Sequence, residues 1–301
     1  MTPPRPLHPH RLRVADAQMR RLRRRLRPPE RPRFRGLSFN RIVPNLLTML
    51  GLCAGLTAMR FALDARYGAA AVAIVVAACI DGLDGRLARL LKATSRFGAE
   101  FDSLADFLCF GVAPAFMLYL WSLRAAHGFG FMPCLLFAVC MALRLARFNA
   151  SLDSASATHP AYTYNFFTGV PAPAGAGLAL FPLFVGLEAR SLSLPSLERL
   201  STSPLLCAVV LVGVAFLSVS TLPIWSFKNF KVPAEYVLPL LVGAALYAAL
   251  LVADPWAALA AGGLIYLAML PFSVRSFRRL RDAAEADRGY DAGSESQGES
   301  P

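Results

Sequence analysis

Charge is what this chain has least of. Only 17% of its 301 residues are charged, against 56% hydrophobic, and its mean hydropathy is +0.48. Soluble domains carry about 25% charged residues, so an ordinary water-soluble body is excluded. Acids are scarcest at the front, where residues 1–42 hold 2 of the 19 acidic residues but 13 of the 31 basic ones. The rest of the chain carries 18 basic and 17 acidic groups, so the net charge of +12 belongs to a tail. Nucleic acid, which a basic body would attract, is therefore not an expected partner. Cys-x-x-Cys pairs are missing too. All six cysteines (Cys53, Cys79, Cys109, Cys134, Cys140 and Cys207) lie in apolar runs, which argues against a disulfide framework or zinc ribbon and reads them as small buried hydrophobes. The four histidines are scattered, His8 and His10 in the tail and His127 and His159 in expected loops, and none is assigned a metal. No internal repeat and no soluble domain are found.

What the chain does have is long apolar runs. A spanning helix needs about 20 apolar residues, and eight runs approach that length: 43–63, 68–88, 99–123, 130–148, 166–188, 204–224, 233–252 and 255–273. The expected fold is all-α, a polytopic integral membrane bundle of about eight transmembrane helices spanning residues 43–273. Residues 1–42, rich in Arg and Pro, read as a disordered cytosolic tail drawn to anionic lipid. Residues 274–301, ending "AAEADRGYDAGSESQGESP", read as a second disordered cytosolic tail. The first run is long enough to span and no cleavage site follows it, so it is not a secretory signal. Basic residues orient the bundle. With the N-terminus inside, the inner loops hold Arg86, Arg89, Lys92, Arg96, Arg144, Arg147, Lys228 and Lys231, while the outer loops hold Arg66, Arg124, Arg190 and Arg199. Both termini then face the cytoplasm.

Against this apolar background stands "DGLDGRLARLLKATSRFGAEFDSLAD", residues 81–106. An Asp at the centre of a membrane helix costs about 2.5–3.5 kcal/mol on insertion scales, so four of them need compensation. Asp81 and Asp84 are three apart near the inner end of the second run, and Asp102 and Asp106 four apart near the inner start of the third. Each pair falls on one helical face. A short turn joins the two runs, so the pairs meet at similar depth. Four converging carboxylates repel unless cations neutralise them, and hard ions with oxygen ligands, Mg²⁺ or Mn²⁺, match them. Gly82, Gly85 and Ala88 remove bulk beside the first pair, leaving room for a large ligand. Arg89 lies two turns beyond Asp81, suited to a phosphate or a neighbouring carboxylate. Two other readings are open: ion pairs with Arg86, Arg89 and Arg96, or an ion or proton transport path. The first leaves the glycines unexplained, and the second lacks charged residues continuing toward the other membrane face.

Written D-x2-D-G-x2-A-R-x8-G-x3-D-x3-D, the stretch matches Asp81, Asp84, Gly85, Ala88, Arg89, Gly98, Asp102 and Asp106 without deviation. This resembles the signature of the CDP-alcohol phosphatidyltransferase family. The resemblance implies an integral membrane enzyme that displaces CMP from a CDP-linked lipid by attack of an alcohol. It implies Asp81, Asp84, Asp102 and Asp106 as metal ligands, with Asp106 also the general base, and Gly85, Ala88 and Arg89 beside the cytidine nucleotide. "PNLLT" in the first run is similar to the family's other nucleotide-side element, which adds Asn45 and Thr48.

The acceptor is suggested by further stretches. "DSLADFLCFGVAPA", "ALRLARFNA", "FTGVPAPAGAG" and "STLPIWSFKNFKVP" are similar to segments of the family's bacterial serine-accepting branch. That implies CDP-diacylglycerol and L-serine as substrates, phosphatidylserine and CMP as products, a bacterial cytoplasmic membrane and a homodimer. The alternative is the same chemistry with choline or glycerol 3-phosphate. Arg144 and Arg147, on one face at the inner end of the fourth run, with Asn149 just beyond, suit serine's carboxylate or the lipid phosphate; topology alone would also put basic residues there. The small residues and prolines of "FTGVPAP" suit a lateral lipid entrance or a kinked helix.

Overall fold

In a computed structural model of the chain, residues 39–93, 95–153, 166–225 and 234–297 are described. Most of residues 1–42, together with His159, Lys228 and Lys231, lie outside them. Helix α1 (Phe39–Leu63) packs along α2 (Tyr67–Leu90), and the pair forms the most extensive helix contact of the molecule. Alanines make that approach close: Ala58 and Ala62 of α1 and Ala70, Ala71 and Ala77 of α2 are all buried. In a bilayer, where apolar side chains gain nothing by leaving lipid, such small-residue contacts bring helices together.

Helix α3 (Arg96–Asp106) starts where the Ser95 hydroxyl accepts a hydrogen bond from the Gly98 amide at 3.0 Å, a side-chain N-cap. It runs into a π-helical segment, Phe107–Val112, and then into α4 (Ala113–Trp121). A 3₁₀ stretch, Leu123–Gly130, leads to α5 (Phe131–Asp153). Beyond it come α6 (Ala172–Ala179), α7 (Phe181–Ser191), α8 (Pro195–Ser201) and α9 (Pro204–Val219), then α10 (Ala234–Ala253) and α11 (Pro255–Gln297). Prolines stand in the first turns of α4 and α6–α9, where a missing N–H costs no hydrogen bond.

Among the described residues, six helices are long and apolar enough to cross a membrane, and up to eight if α6 with α7 (bent by 45°) and α8 with α9 (bent by 51°) each make one span. The all-α bundle expected from the sequence is found, with two local differences. The fifth and sixth runs, expected as plain helices over 166–188 and 204–224, are each broken. Residues Phe166–Thr168 (β1) and Pro223–Trp225 (β2) instead form an antiparallel pair, with Phe167 opposite Ile224. The prolines explain this: Pro171 and Pro223 cannot donate within a helix ladder. Gly169 leaves β1 at φ +80°, and a Cβ there would lie 2.8 Å from the carbonyl oxygens of both Ser218 and Ser220. The second difference is at the end. Helix α11 continues to Gln297, through the polar stretch expected to be disordered, and its first residues past the span, "RRLRDAAEA", are good helix formers.

The core lies where the π-segment, α4, α5, α6, α7 and α9 meet, filled by Phe110, Phe137, Met117, Met141, Leu183 and Leu211. Helix α10 packs on α11, and all its described side chains are exposed, a lipid-facing pattern for so apolar a helix.

Candidate active site

Helices α2 and α3 bring the aspartates together. One carboxylate oxygen each from Asp81, Asp102 and Asp106 lies within 4.8 Å of the others, and all three residues are half-buried. The Asp81 and Asp106 carboxyl groups thus lie close together, within 4.8 Å. Two carboxylates that close need a proton or a cation between them. An all-oxygen donor set fits a hard divalent ion, not a thiolate- or imidazole-seeking metal. Among the described residues, no ion pair joins Arg86, Arg89 or Arg96 to the aspartates. The loop arginines therefore do not cancel the charge of the cluster.

Asp84 takes a different place from the other three. It is 4% exposed and accepts a 2.7 Å hydrogen bond from the Thr48 hydroxyl of α1, which also reaches the Pro44 carbonyl at 3.2 Å. It lines the same cleft, and its charge acts on Asp102, but it stands outside the group of three. Asn45, one turn before Thr48, lies against the start of α3: a Cβ on Gly98 would sit 3.0 Å from its Oδ1. "PNLLT" thus touches the aspartate motif twice.

The glycines of the motif divide by role. Around Gly82 and Gly85 a Cβ would meet nothing within 4 Å, so the protein's own packing does not demand glycine there. The bare surface they leave beside Asp81 and Asp84 is available to a ligand. At Gly98 space is tight, since a Cβ would press on Asn45 Oδ1 at 3.0 Å and the Ser95 hydroxyl at 3.1 Å. Arg89 is exposed and donates from Nε to the Gly85 carbonyl at 3.0 Å, with Ala88 half-buried next to it.

The basic residues of α5 are spread between two tasks. Arg144 donates from Nε to the Val170 carbonyl, yet its charge acts directly on Asp106. Arg147 donates to the carbonyls of Val219 at 2.8 Å and Ser220 at 3.2 Å, and so clasps the end of α9. Asn149 is bonded to Ser103 of α3 at 3.0 Å. Of the three residues expected around acceptor or lipid phosphate, Arg144 is within electrostatic range of Asp106, while the other two carry contacts that hold helices in place. Sequence reasoning missed Tyr266. Its hydroxyl is buried without a hydrogen-bond partner, and its ring system lies within electrostatic range of Arg144. The sequence signal was one tyrosine inside "GGLIYLAML", which composition does not distinguish from a core aromatic.

Residues 41–212 match the family described as CDP-alcohol phosphatidyltransferase, and residues 235–271 match a second, CDP-alcohol phosphatidyltransferase 2. The chain is 41% identical over 256 residues to the CDP-diacylglycerol–serine O-phosphatidyltransferase of Mycobacterium leprae, covering 85% of this chain and 82% of that one. It is 42% identical over 244 residues to the enzyme of the same name from Mycobacterium tuberculosis, covering 81% and 82%. For the Helicobacter pylori enzyme so named the figure is 35% over 190 residues, covering 63% and 74%.

Proposed function

This chain belongs to the CDP-alcohol phosphatidyltransferase family, and we propose from that premise that it transfers a phosphatidyl group from CDP-diacylglycerol to L-serine, giving phosphatidylserine and CMP. One observation carries the choice of serine: identity of 41–42% across about four-fifths of relatives named for that acceptor. The convergent carboxylates of α2 and α3 support the chemistry.

Asp81, Asp102 and Asp106 would hold a divalent cation, Mg²⁺ or Mn²⁺, with Asp84 completing the acidic wall under the restraint of Thr48. Such an ion, when bound, neutralises the pyrophosphate and the charge that develops on departing CMP. The bare backbone at Gly82 and Gly85 lets the nucleotide approach α2, and Ala88 and Arg89 border it, with Asn45 and Thr48 behind. The serine hydroxyl attacks the lipid-side phosphorus, the bond from that phosphorus to the CMP oxygen breaks, and Asp106 takes the hydroxyl proton. Proton removal by a placed carboxylate contributes about 10²–10⁴-fold. Arg144 is close enough to Asp106 to meet serine's carboxylate or the lipid phosphate, and Arg147 and Asn149 keep its helix in position. Basic residues on the inner loops support a topology with both termini and the aspartates on the cytosolic side, and the bacterial relatives support a bacterial cytoplasmic membrane. A homodimer is the expected assembly.

An acceptor panel tests this reading. Purified protein is given CDP-diacylglycerol with Mn²⁺ or Mg²⁺ and, in turn, L-serine, choline and glycerol 3-phosphate, and CMP release is measured. Serine should give the fast reaction. Faster release with another acceptor would reassign the substrate, and none with any would remove the enzyme reading.

A further inference from the structure

Helix α3 carries two of the three clustered carboxylates, yet little of α3 itself is packed. Of its eleven residues only Ala105 is buried. The π-helical segment that follows, Phe107–Val112, interrupts the α-helical ladder. The buried helix α4 beyond it therefore does not by itself dictate which way α3 faces. Some other contact has to hold the carboxylate face toward Asp81.

A polar tie to α5 stands where such a contact is needed. The Asn149 Nδ2 donates to the Ser103 hydroxyl at 3.0 Å. The hydroxyl proton then has two acceptors within reach, the Ala99 carbonyl one turn earlier at 3.0 Å and the Asn149 Oδ1 at 3.2 Å. Ser103 lies between the two aspartates in sequence and on the flank of their face. At 3.6 residues per turn it stands about 60° around the axis from Asp106 and about 100° from Asp102. A pull or a release at Ser103 therefore turns both carboxylates together. Side-chain ends stand about 5–6 Å from a helix axis, so a turn of about ten degrees carries a carboxylate about 1 Å. A misplacement of that size can cost about 10²-fold in rate.

The π-segment gives α5 a second hold. A Cβ on Gly111 would lie 3.2 Å from the Met141 Cβ, so the two backbones approach closely there. Ser103 is eight residues before Gly111, and Asn149 is eight residues after Met141. The two antiparallel stretches are thus matched in length and fastened at both ends, by packing at one and by the serine–asparagine bond at the other.

We propose that Asn149 is a positioning residue: through the Ser103 hydroxyl it fixes the rotation of α3 that turns Asp102 and Asp106 toward Asp81. Its effect on rate rests on the phosphatidyl-transfer reading. An amide suits the place, because it can both donate to and accept from one hydroxyl and brings no further negative charge to the aspartates.

Asn149→Ala, Ser103→Ala, the double variant and Ser103→Thr test this in the purified full-length protein. Mn²⁺ affinity is read without turnover from the electron paramagnetic resonance of the free ion, and CMP release gives kcat and the KM for serine. Each alanine variant should weaken Mn²⁺ binding about tenfold and lower kcat about ten- to hundredfold, with the KM for serine within about twofold of the parent. The double variant should lose no more than either single one, since both break the same bond. Ser103→Thr keeps the hydroxyl and should stay near the parent in both readouts. Mn²⁺ affinity equal to the parent's in both alanine variants would overturn the proposal, whatever happens to kcat or the melting temperature. So would losses that add in the double variant, or a raised KM for serine with kcat kept, which would make Asn149 an acceptor contact. If Asn149→Ala folds poorly, Ser103→Ala, which removes a single oxygen, carries the same comparison. If the parent binds Mn²⁺ but releases no CMP with any acceptor, the transfer reading fails, and the Mn²⁺ comparison still decides whether the tie aligns the carboxylates.

Discussion

At the scale of single residues, the four aspartates are not equivalent, and substitutions should separate them. Asp81→Asn removes one of three clustered carboxylates, so activity should fall and be partly recovered at higher Mg²⁺ or Mn²⁺. Asp106→Asn should lose about 10²–10⁴-fold and stay inactive at saturating metal, because an amide cannot accept the hydroxyl proton. Equal rescue of both by metal would make Asp106 a ligand only. Thr48 gives a sharper case, since it lies behind the cluster and not in the group of three. Thr48→Val takes the 2.7 Å hydrogen bond from a nearly buried carboxylate, and leaving such a group unpaired costs about 1–3 kcal/mol. A tenfold loss or more is expected, with Thr48→Ser close to the parent. Matching losses in the serine variant would show that the methyl packing matters and not the bond.

At the scale of elements, the π-helical turn after Asp106 explains a demand for glycine in another helix. A Cβ on Gly55 of α1 would lie 2.4 Å from the Cys109 sulfur and 3.2 Å from its Cα. Gly55→Ala should therefore push α1 from the turn that follows the proposed base, destabilising the protein by about 1–3 kcal/mol and reducing activity from a position that touches no substrate. Adding Cys109→Ala should restore part of the melting temperature, because the nearer clash is with the sulfur. An unchanged melting temperature in Gly55→Ala would show that the two segments separate freely. This turn is also where the sequence stops being readable. The carboxylate faces of α2 and α3 were legible because their spacings, three and four, lie within single helices. The π-turn was not, since "FLCFGV" carries no mark that an ordinary apolar helix lacks. Arg144 and Arg147 were expected as a pair at the acceptor or lipid phosphate, whereas their bonds to Val170, Val219 and Ser220 join segments far apart in the chain. No local pattern announces such ties. The β1–β2 pairing was hidden for the same reason, although Gly169 and the prolines marked the breaks.

At the scale of the whole molecule, the chemistry and the basic tail are separable. Deleting residues 1–36 should leave turnover in detergent micelles nearly intact, because no described part of the cleft comes from them, while binding to anionic vesicles weakens by about 1 kcal/mol per basic residue removed from the surface. A hundredfold loss in micelles would place the tail in the site. Excess EDTA should abolish CMP release and Mn²⁺ or Mg²⁺ restore it; full activity in chelator would remove the metal from the scheme. The order of the helices has a consequence for how the chain is made. Every proposed metal ligand lies between Asp81 and Asp106, and the helix that restrains Asp84 precedes them directly. The acidic hairpin thus leaves the ribosome and enters the bilayer with its partner already there and more than half of the polypeptide still unsynthesised. During that interval the carboxylates have only Thr48, one another and passing cations to offset their burial. The early chain must capture its ions, or keep its protons, before the rest of the bundle exists.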